Sequence, residues 1–320
     1  MCCLFGFYDY GHSLSAKQKS RLVSALAVAA EVRGTDATGI AYLANSHLSI
    51  YKRPLPAHRL RLHIPKVADV VMGHTRMTTQ GSESRNYNNH PFYGQVASGG
   101  FALAHNGVLR NDHRLQVQNK LPVSRIETDS YVIVQLLEQA GSVDMQTLGK
   151  VSEQLIGSFT YTVLDSQAQL FIVRGNNPFC LYHFPAQGIY VYASTKEILT
   201  AALRKFRKHI PFGSFEEIPV KEGEILRLST DGNRKMQTFS LDFLFPLSAY
   251  LPLRSIAFDP WNTRSTSYVD ELKSVAGAFG YLPEDVDDLL ADGFTRKKLR
   301  SAFTREKFKR YSPQRRLCTK

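Results

Sequence analysis

The chain opens Met1-Cys2-Cys3-Leu4-Phe5-Gly6, a stretch that admits two readings. Removal of the initiator Met would make Cys2 the N-terminus, with a thiol and a free α-amine on one residue. A thiolate is a strong nucleophile, and an α-amine with a pKa of about 7.7–8.0 can accept and return a proton near neutral pH. That pairing is the N-terminal form of a nucleophile with its base, and it needs no separate His or Asp. The plainer reading is a buried strand opened by two small apolar residues, since Cys is among the most buried residue types. Downstream residues decide between them.

Residues 4–8 read as a short apolar strand, and Gly11-His12-Ser13 turns the chain. Ser15 can cap a helix over 16–32, with Leu22, Val23, Leu26, Ala29 and Ala30 as its apolar stripe and Gly34 at its stop. Arg33-Gly34-Thr35-Asp36-Ala37-Thr38-Gly39-Ile40 then places an Arg and an Asp among glycines and hydroxyls. Turn chemistry alone accounts for that loop. Residues 40–43 and 48–51 alternate as strands around an Asn45-Ser46 hairpin turn.

The apolar run 67–72 suits a buried strand, and it feeds Gly73-His74-Thr75-Arg76-Met77-Thr78-Thr79, a polar loop of the kind that carries function. Arg76 fits a structural ion pair as well as a ligand contact, and His74 fits a hydrogen-bonded structural histidine. A further strand, 101–105, ends in Asn106-Gly107. Asn-Gly is the strongest short hairpin signal. The alternative is an oxyanion hole, with the Asn side-chain amide and the Gly N–H aimed at a developing negative oxygen. Thr128-Asp129-Ser130 precedes an amphipathic helix from Tyr131, where Asp129 in the first turn would meet the helix dipole.

A second helix is expected over 145–156, and strands over 157–165, 170–174, 178–183 and 189–193. A helix over 196–207 comes next, then strands 216–220 and 224–228 paired around Lys221-Glu222-Gly223. This order suits antiparallel sheets covered by helices and not a parallel βαβ series. Three prolines, Pro246, Pro252 and Pro260, mark 244–266 as a linker. Residues 267–305 read as a small helical unit and 306–320 as a basic tail.

The chain has 320 residues, is 43% hydrophobic, and carries a formal charge of +12 that is concentrated from Arg296 onward. The body is therefore near neutral. The basic end, with Phe303, Phe308 and Tyr311 interleaved, permits nucleic-acid contact, although such runs are more often solvated ends. The four cysteines form no CxxC pair, which argues against a zinc site. No phosphate-cradling glycine motif occurs, so no cofactor is expected. No apolar run reaches the length of a membrane span, and the start lacks a signal pattern. With reduced thiols, this implies a cytoplasmic protein.

Taken together, six stretches resemble the glutaminase domain of class II glutamine amidotransferases, an N-terminal-nucleophile hydrolase family. They are the Cys2 start, residues 33–40, residues 73–79, Asn89-His90-Pro91-Phe92, His105-Asn106-Gly107 and Thr128-Asp129-Ser130, in the family's order. The resemblance implies an α+β fold, a four-layer αββα sandwich over residues 1–243, with the small helical appendage behind it. It implies roles as well: Cys2 as nucleophile and, through its α-amine, base; Asn106 and Gly107 as oxyanion hole; Arg76 for the glutamine α-carboxylate and Asp129 for the α-ammonium. Thr75 and Thr78 would add hydrogen bonds, His74 would lie in the binding set, and Arg33 would support the nucleophile's loop.

Family members usually carry a synthase domain, for which the residues after 240 offer no room or signature. A separate acceptor chain is therefore expected to receive the ammonia. Two alternatives stand beside it: a γ-glutamyl amide hydrolase uncoupled from any synthase, and a protein binding partners or nucleic acid through its basic end.

Overall fold

The computed structural model describes residues 2–206 and 213–241, with the isolated positions Lys273, Val286, Asp287 and Leu290. The expected linker, helical unit and basic tail otherwise lie outside the described residues.

Strand β1 (Cys3–Asp9) leads into helix α1 (Ala16–Ala30), the hairpin of β2 (Ala37–Ala44) and β3 (His47–Arg53), and strand β4 (Val70–Arg76). A second hairpin, β5 (Phe92–Val96) with β6 (Gly99–Leu109), precedes α2 (Asp112–Gln118), α3 (Tyr131–Ala140) and α4 (Met145–Ser152). Strands β7 (Gly157–Asp165), β8 (Leu170–Arg174), β9 (Cys180–Phe184) and β10 (Ile189–Ala193) come next, then α5 (Lys196–Phe206). Strands β11 (Glu216–Glu217), β12 (Glu224–Leu228) and β13 (Arg234–Thr238) come last.

Two antiparallel sheets result, one ordered β11-β9-β10-β1-β4-β2-β3 and the other β13-β12-β8-β7-β6-β5. Side-chain alternation along β1 shows how they layer. Cys3, Phe5 and Phe7 pack with Leu22 and Leu26 of α1 and Leu199 and Leu203 of α5. Leu4 and Tyr8 face the other way, onto Ala102, Ala104 and Leu164 of the second sheet. Behind that sheet, Ile133, Leu137 and Leu148 of α3 and α4 cover Phe159, Tyr161 and Val163. The layers run helix, sheet, sheet, helix, as the resemblance implies.

Local chemistry explains the elements. Ser15 caps α1 in a reciprocal box with Gln18. Asn45 and Ser46 both take positive φ, the geometry of a tight hairpin turn. Helix α1 ends at Ala30, two residues before the expected stop, and the chain then turns so that Arg33 leaves the helix.

Three expectations are corrected. Asn106-Gly107 is not a hairpin turn: β6 runs on to Leu109, with Gly107 opposite Phe159, and the hairpin lies instead between β5 and β6. Residues 216–217 and 224–228 do not pair with each other: the first join β9 and the second pair with β8 and β13, in different sheets. Asp129 stands before the first turn of α3, not in it, because Ser130 is the N-cap residue.

Candidate active site

β1 lies in the middle of its sheet, between β10 and β4, so Cys2 is held at the end of a strand secured on both sides. Cys2 is 9% exposed, and its Sγ approaches the Met77 carbonyl oxygen at 3.6 Å. Its own carbonyl oxygen accepts from Arg33 Nε at 2.7 Å. Asn106 meets the same oxygen: with its side-chain amide assigned the orientation that satisfies both neighbours, its Nδ2 donates to that oxygen at 2.8 Å and its Oδ1 accepts from Arg33 Nη2 at 3.3 Å. Cys2, Arg33 and Asn106 thus close a triangle that joins the two sheets. Arg33 is 1% exposed, so a cation occupies the interior against the Cys2 backbone.

The Arg33 loop is fastened to β4. Gly34 lies so close to the Arg76 backbone that a Cβ there would sit 2.5 Å from the Arg76 carbonyl carbon. Asp36 N–H donates to the Arg76 carbonyl oxygen at 3.0 Å, and Asp36 Oδ2 accepts from Thr78 N–H at 2.7 Å. Two loops far apart in sequence therefore form one wall.

Arg76 and Asp129 supply opposite charges. Arg76, 3% exposed, donates to Asn89 Oδ1 at 2.7 Å and to the Gln80 carbonyl oxygen at 2.6 Å. Asp129, 4% exposed, accepts from Leu109 N–H at 2.6 Å. Burial pushes the Asp129 carboxyl up to about 6, against the Leu109 hydrogen bond that lowers it. Burial likewise lowers Arg76, while the nearby Cys2 and Asp129 favour its charge. Neither residue forms an ion pair among the described residues, so a buried cation and a buried anion share one region without neutralising each other.

Gly107 faces the same region. Phe159, its partner in the register, has its N–H held by Asn176 and its carbonyl by Asn177, on the β8 side. The Gly107–Phe159 pair is therefore of the type without mutual hydrogen bonds, and Gly107 turns its N–H to the free edge of β6. Leu109 N–H, two residues on, points off that edge to Asp129. Gly107 adopts φ +149°, and a Cβ there would meet the Ser158 carbonyl oxygen at 1.9 Å, so only Gly fits.

The sequence profile described as "glutamine amidotransferase domain" matches residues 74–201, which hold Arg76, Asn106, Gly107 and Asp129. Over 248 residues the chain is 30% identical to glutamine–fructose-6-phosphate aminotransferase (isomerizing) of Staphylococcus aureus, covering 73% of this chain and 38% of that protein. The chain carries a class II glutamine amidotransferase domain. The corresponding enzyme of Geobacillus kaustophilus is 32% identical over 216 residues, covering 66% of this chain and 34% of its own length. The chain thus spans little more than a third of the curated relatives it matches. In fold, it is similar to glutamine phosphoribosylpyrophosphate (PRPP) amidotransferase from B. subtilis, with a TM-score of 0.58 at 20% identity over 75% of this chain and 50% of that one.

Within this amidotransferase domain, Cys2, Arg33, Arg76, Asn106, Gly107 and Asp129 converge, and Thr78 joins them through Asp36 and, by its hydroxyl, Glu83 Oε2 at 3.3 Å. Two residues are placed otherwise than expected. Thr75 points to the helix layer, where its hydroxyl donates to the Ala30 carbonyl oxygen at 3.1 Å, because strand alternation sets it opposite Arg76. His74 is buried between the sheets, with Nε2 bonded to the His105 carbonyl oxygen at 3.0 Å and its ring 4.2 Å from that of His90. Burial holds it well below the usual histidine range, so it braces the sheets as a neutral ring.

The domain also uses Asn177, Asn89 and Lys52, to which the sequence assigned no role. Asn177 Nδ2 donates to the Asn106 carbonyl oxygen at 2.8 Å and fixes the strand at the candidate oxyanion site. Asn89 receives Arg76, and Lys52 Nζ holds the Asn89 and Pro91 carbonyl oxygens at 2.5 and 3.0 Å. Among the described residues, no group of three or more His, Cys, Asp or Glu side chains is placed to hold a metal ion. Nor is any helix there long and apolar enough to cross a membrane.

Proposed function

We propose that the domain hydrolyses the side-chain amide of glutamine through a γ-glutamyl thioester on Cys2 and supplies the ammonia to an acceptor on another chain. The observation that carries this reading is the pair Arg76 and Asp129, both buried, with Arg76 in electrostatic reach of Asp129 and of Cys2 and no ion pair between the two. A free amino acid presents a carboxylate and an ammonium at one end. It would complete both charges and leave its side-chain amide to reach the thiol.

Loss of Met1 would free the Cys2 α-amine. That amine takes the thiol proton, and Sγ attacks the amide carbon. The resulting oxyanion rests on Gly107 N–H and on Asn106 Nδ2, which has a second hydrogen besides the one on the Cys2 carbonyl. The amine then returns the proton to the leaving nitrogen, and ammonia departs. Water, deprotonated by the same amine, attacks the thioester and releases glutamate. Arg33 holds the Cys2 backbone still throughout, since misplacement of a nucleophile by even 1 Å can cost about 10²-fold in rate.

Purified protein incubated with glutamine should release glutamate and ammonia in equal amounts. Glutaramate, which lacks the α-ammonium, and 4-aminobutanamide, which lacks the α-carboxylate, should both be poor substrates. Turnover of either as efficient as that of glutamine would refute the binding of a zwitterion.

A further inference from the structure

A groove of about 940 Å³ runs along the outer face of the first helix layer, between residues 16–25 of α1, residues 60–65 and the end of α5. It follows α1 as far as Ala25, and none of Cys2, Arg33, Arg76, Asn106, Gly107 or Asp129 lines it. It is therefore separate from the glutamine site.

Its chemistry is one-sided. Lys17, Arg21, Arg61 and Lys205 line it, with His63, and among the described residues no carboxylate does. All five side chains are exposed, and among the described residues none makes an ion pair. Between them lie the part-exposed apolar side chains of Ala25, Tyr42 and Leu60, over Leu62, Ile64 and Phe206 of the core. The polar groups of the floor are already engaged. Ser20 Oγ donates to the Ala16 carbonyl oxygen at 2.8 Å and accepts from Ile64 N–H at 2.9 Å, and Ser24 Oγ donates to the Ser20 carbonyl oxygen at 2.7 Å.

Small-molecule sites fix their ligands with a few convergent polar groups. This groove offers none, only apolar surface under long, mobile cations. That combination suits an amphipathic helix, which sets apolar anchors on the floor and charges along the rim. We propose that the groove docks an amphipathic helix of a partner protein, with apolar side chains at helical spacing facing the floor and Asp or Glu flanking them. Charge complementarity selects the acidic flanks and rejects basic ones. This inference does not depend on the glutaminase reading.

The test uses the full chain and a fluorescein-labelled helical peptide of leucines at i, i+3, i+4 and i+7 spacing flanked by glutamates, carrying a photo-cross-linker. A second peptide replaces every glutamate by lysine. Anisotropy should show binding of the glutamate peptide alone, weaker at high salt, with cross-links on residues 16–25 or 60–65. The Lys17→Glu/Arg21→Glu variant should lose about tenfold or more in affinity, and Arg61→Glu should weaken binding too. Both variants should retain the far-ultraviolet circular dichroism of the wild type. Absence of binding, equal binding of the lysine peptide, or indifference to charge reversal in folded variants would overturn the proposal. So would tighter binding of a single-stranded oligonucleotide at this groove, or self-association of the chain abolished by the same variants, since each names a different occupant.

Discussion

Asn106 Nδ2 donates to the carbonyl oxygen of Cys2 over 2.8 Å, joining the second sheet to the first at the point where the thiol is held. A residue of one sheet thereby fixes the proposed nucleophile at the end of the other. Removing an oxyanion donor costs on the order of 10²–10³ in rate. Asn106→Ala should therefore lower kcat for glutamine hydrolysis by that factor, with a smaller change in KM. Steady-state kinetics with a coupled glutamate assay will read the split.

Arg76 and Asp129 should act on binding. Arg76→Ala should raise the KM for glutamine at least about tenfold, the size of one lost charge-assisted hydrogen bond of 1.5–3 kcal/mol. Alkylation of Cys2 by iodoacetamide, which has no amino-acid end, should be far less affected. Equal losses in both measurements would place Arg76 at the thiol and not at the ligand.

The Asp129 carboxyl, pushed up to about 6 by burial, gives a pH dependence with a definite sign. Only the ionised form attracts an ammonium, so kcat/KM should fall about tenfold per pH unit below pH 6. Asp129→Asn should be weak at every pH and lack that limb. The sign for stability is opposite: a carboxyl raised above its unfolded value stabilises the fold at low pH, and this contribution is lost as pH rises through about 6. Chemical denaturation of Asp129→Asn across pH 4–7 should show a flatter profile than the wild type.

Gly107→Ala should damage both fold and activity. The new Cβ would meet the Ser158 carbonyl oxygen, and φ +149° is strained for any side chain. A cost of about 1–3 kcal/mol or more is expected, with glutaminase activity lost in the protein that still folds. Thermal unfolding alongside kinetics will separate the two effects.

Far from the thiol, Lys19 is 1% exposed, and its Nζ lies 2.5 Å from Asp69 and 3.4 Å from Asp9, itself fully buried. Breaking a buried pair leaves an uncompensated charge, so Lys19→Ala should cost about 3–5 kcal/mol. The glutaminase rate of the folded fraction should stay at the wild-type value. A large change in KM at constant folded fraction would contradict this separation.

Most of the sandwich was legible because its strands carry strong local signals. The run Cys3–Asp9 and the capping box at Ser15 define their elements without outside help. The errors fall where tertiary contacts override local preference. Asn106-Gly107 has the chemistry of a hairpin turn, yet pairing with β7 over Leu109 to Phe101 carries the strand through it. Glu216–Glu217 was legible as a strand but not its partner, because sheet membership depends on β9, more than thirty residues earlier. At the site, Arg33, Arg76 and Asp129 were legible only through the resemblance of their stretches to the family, since each alone fitted turn, ion-pair or helix-dipole chemistry. Asn89, although within one of the resembling stretches, and Asn177 had no assigned role, since each holds a neighbour and only the folded chain shows which one. Thr75 was misplaced for a simpler reason: adjacent strand residues face opposite layers, and with β4 extending to Arg76 it turns away from the cleft. His74 shares the face of Arg76, but its ring is taken up by the His105 carbonyl oxygen and the ring of His90.

Cys2 alone is proposed to supply both the attacking sulfur and the proton carrier. Intact and peptide mass spectrometry after treatment with a γ-electrophilic glutamine analogue tests this most directly, alongside glutamate release by Cys2→Ala. A single adduct on Cys2, on chains that lack Met1, and no glutamate release by the variant are the expected results. An adduct on Cys3 or Cys180, or turnover by Cys2→Ala equal to that of the wild type, would contradict it.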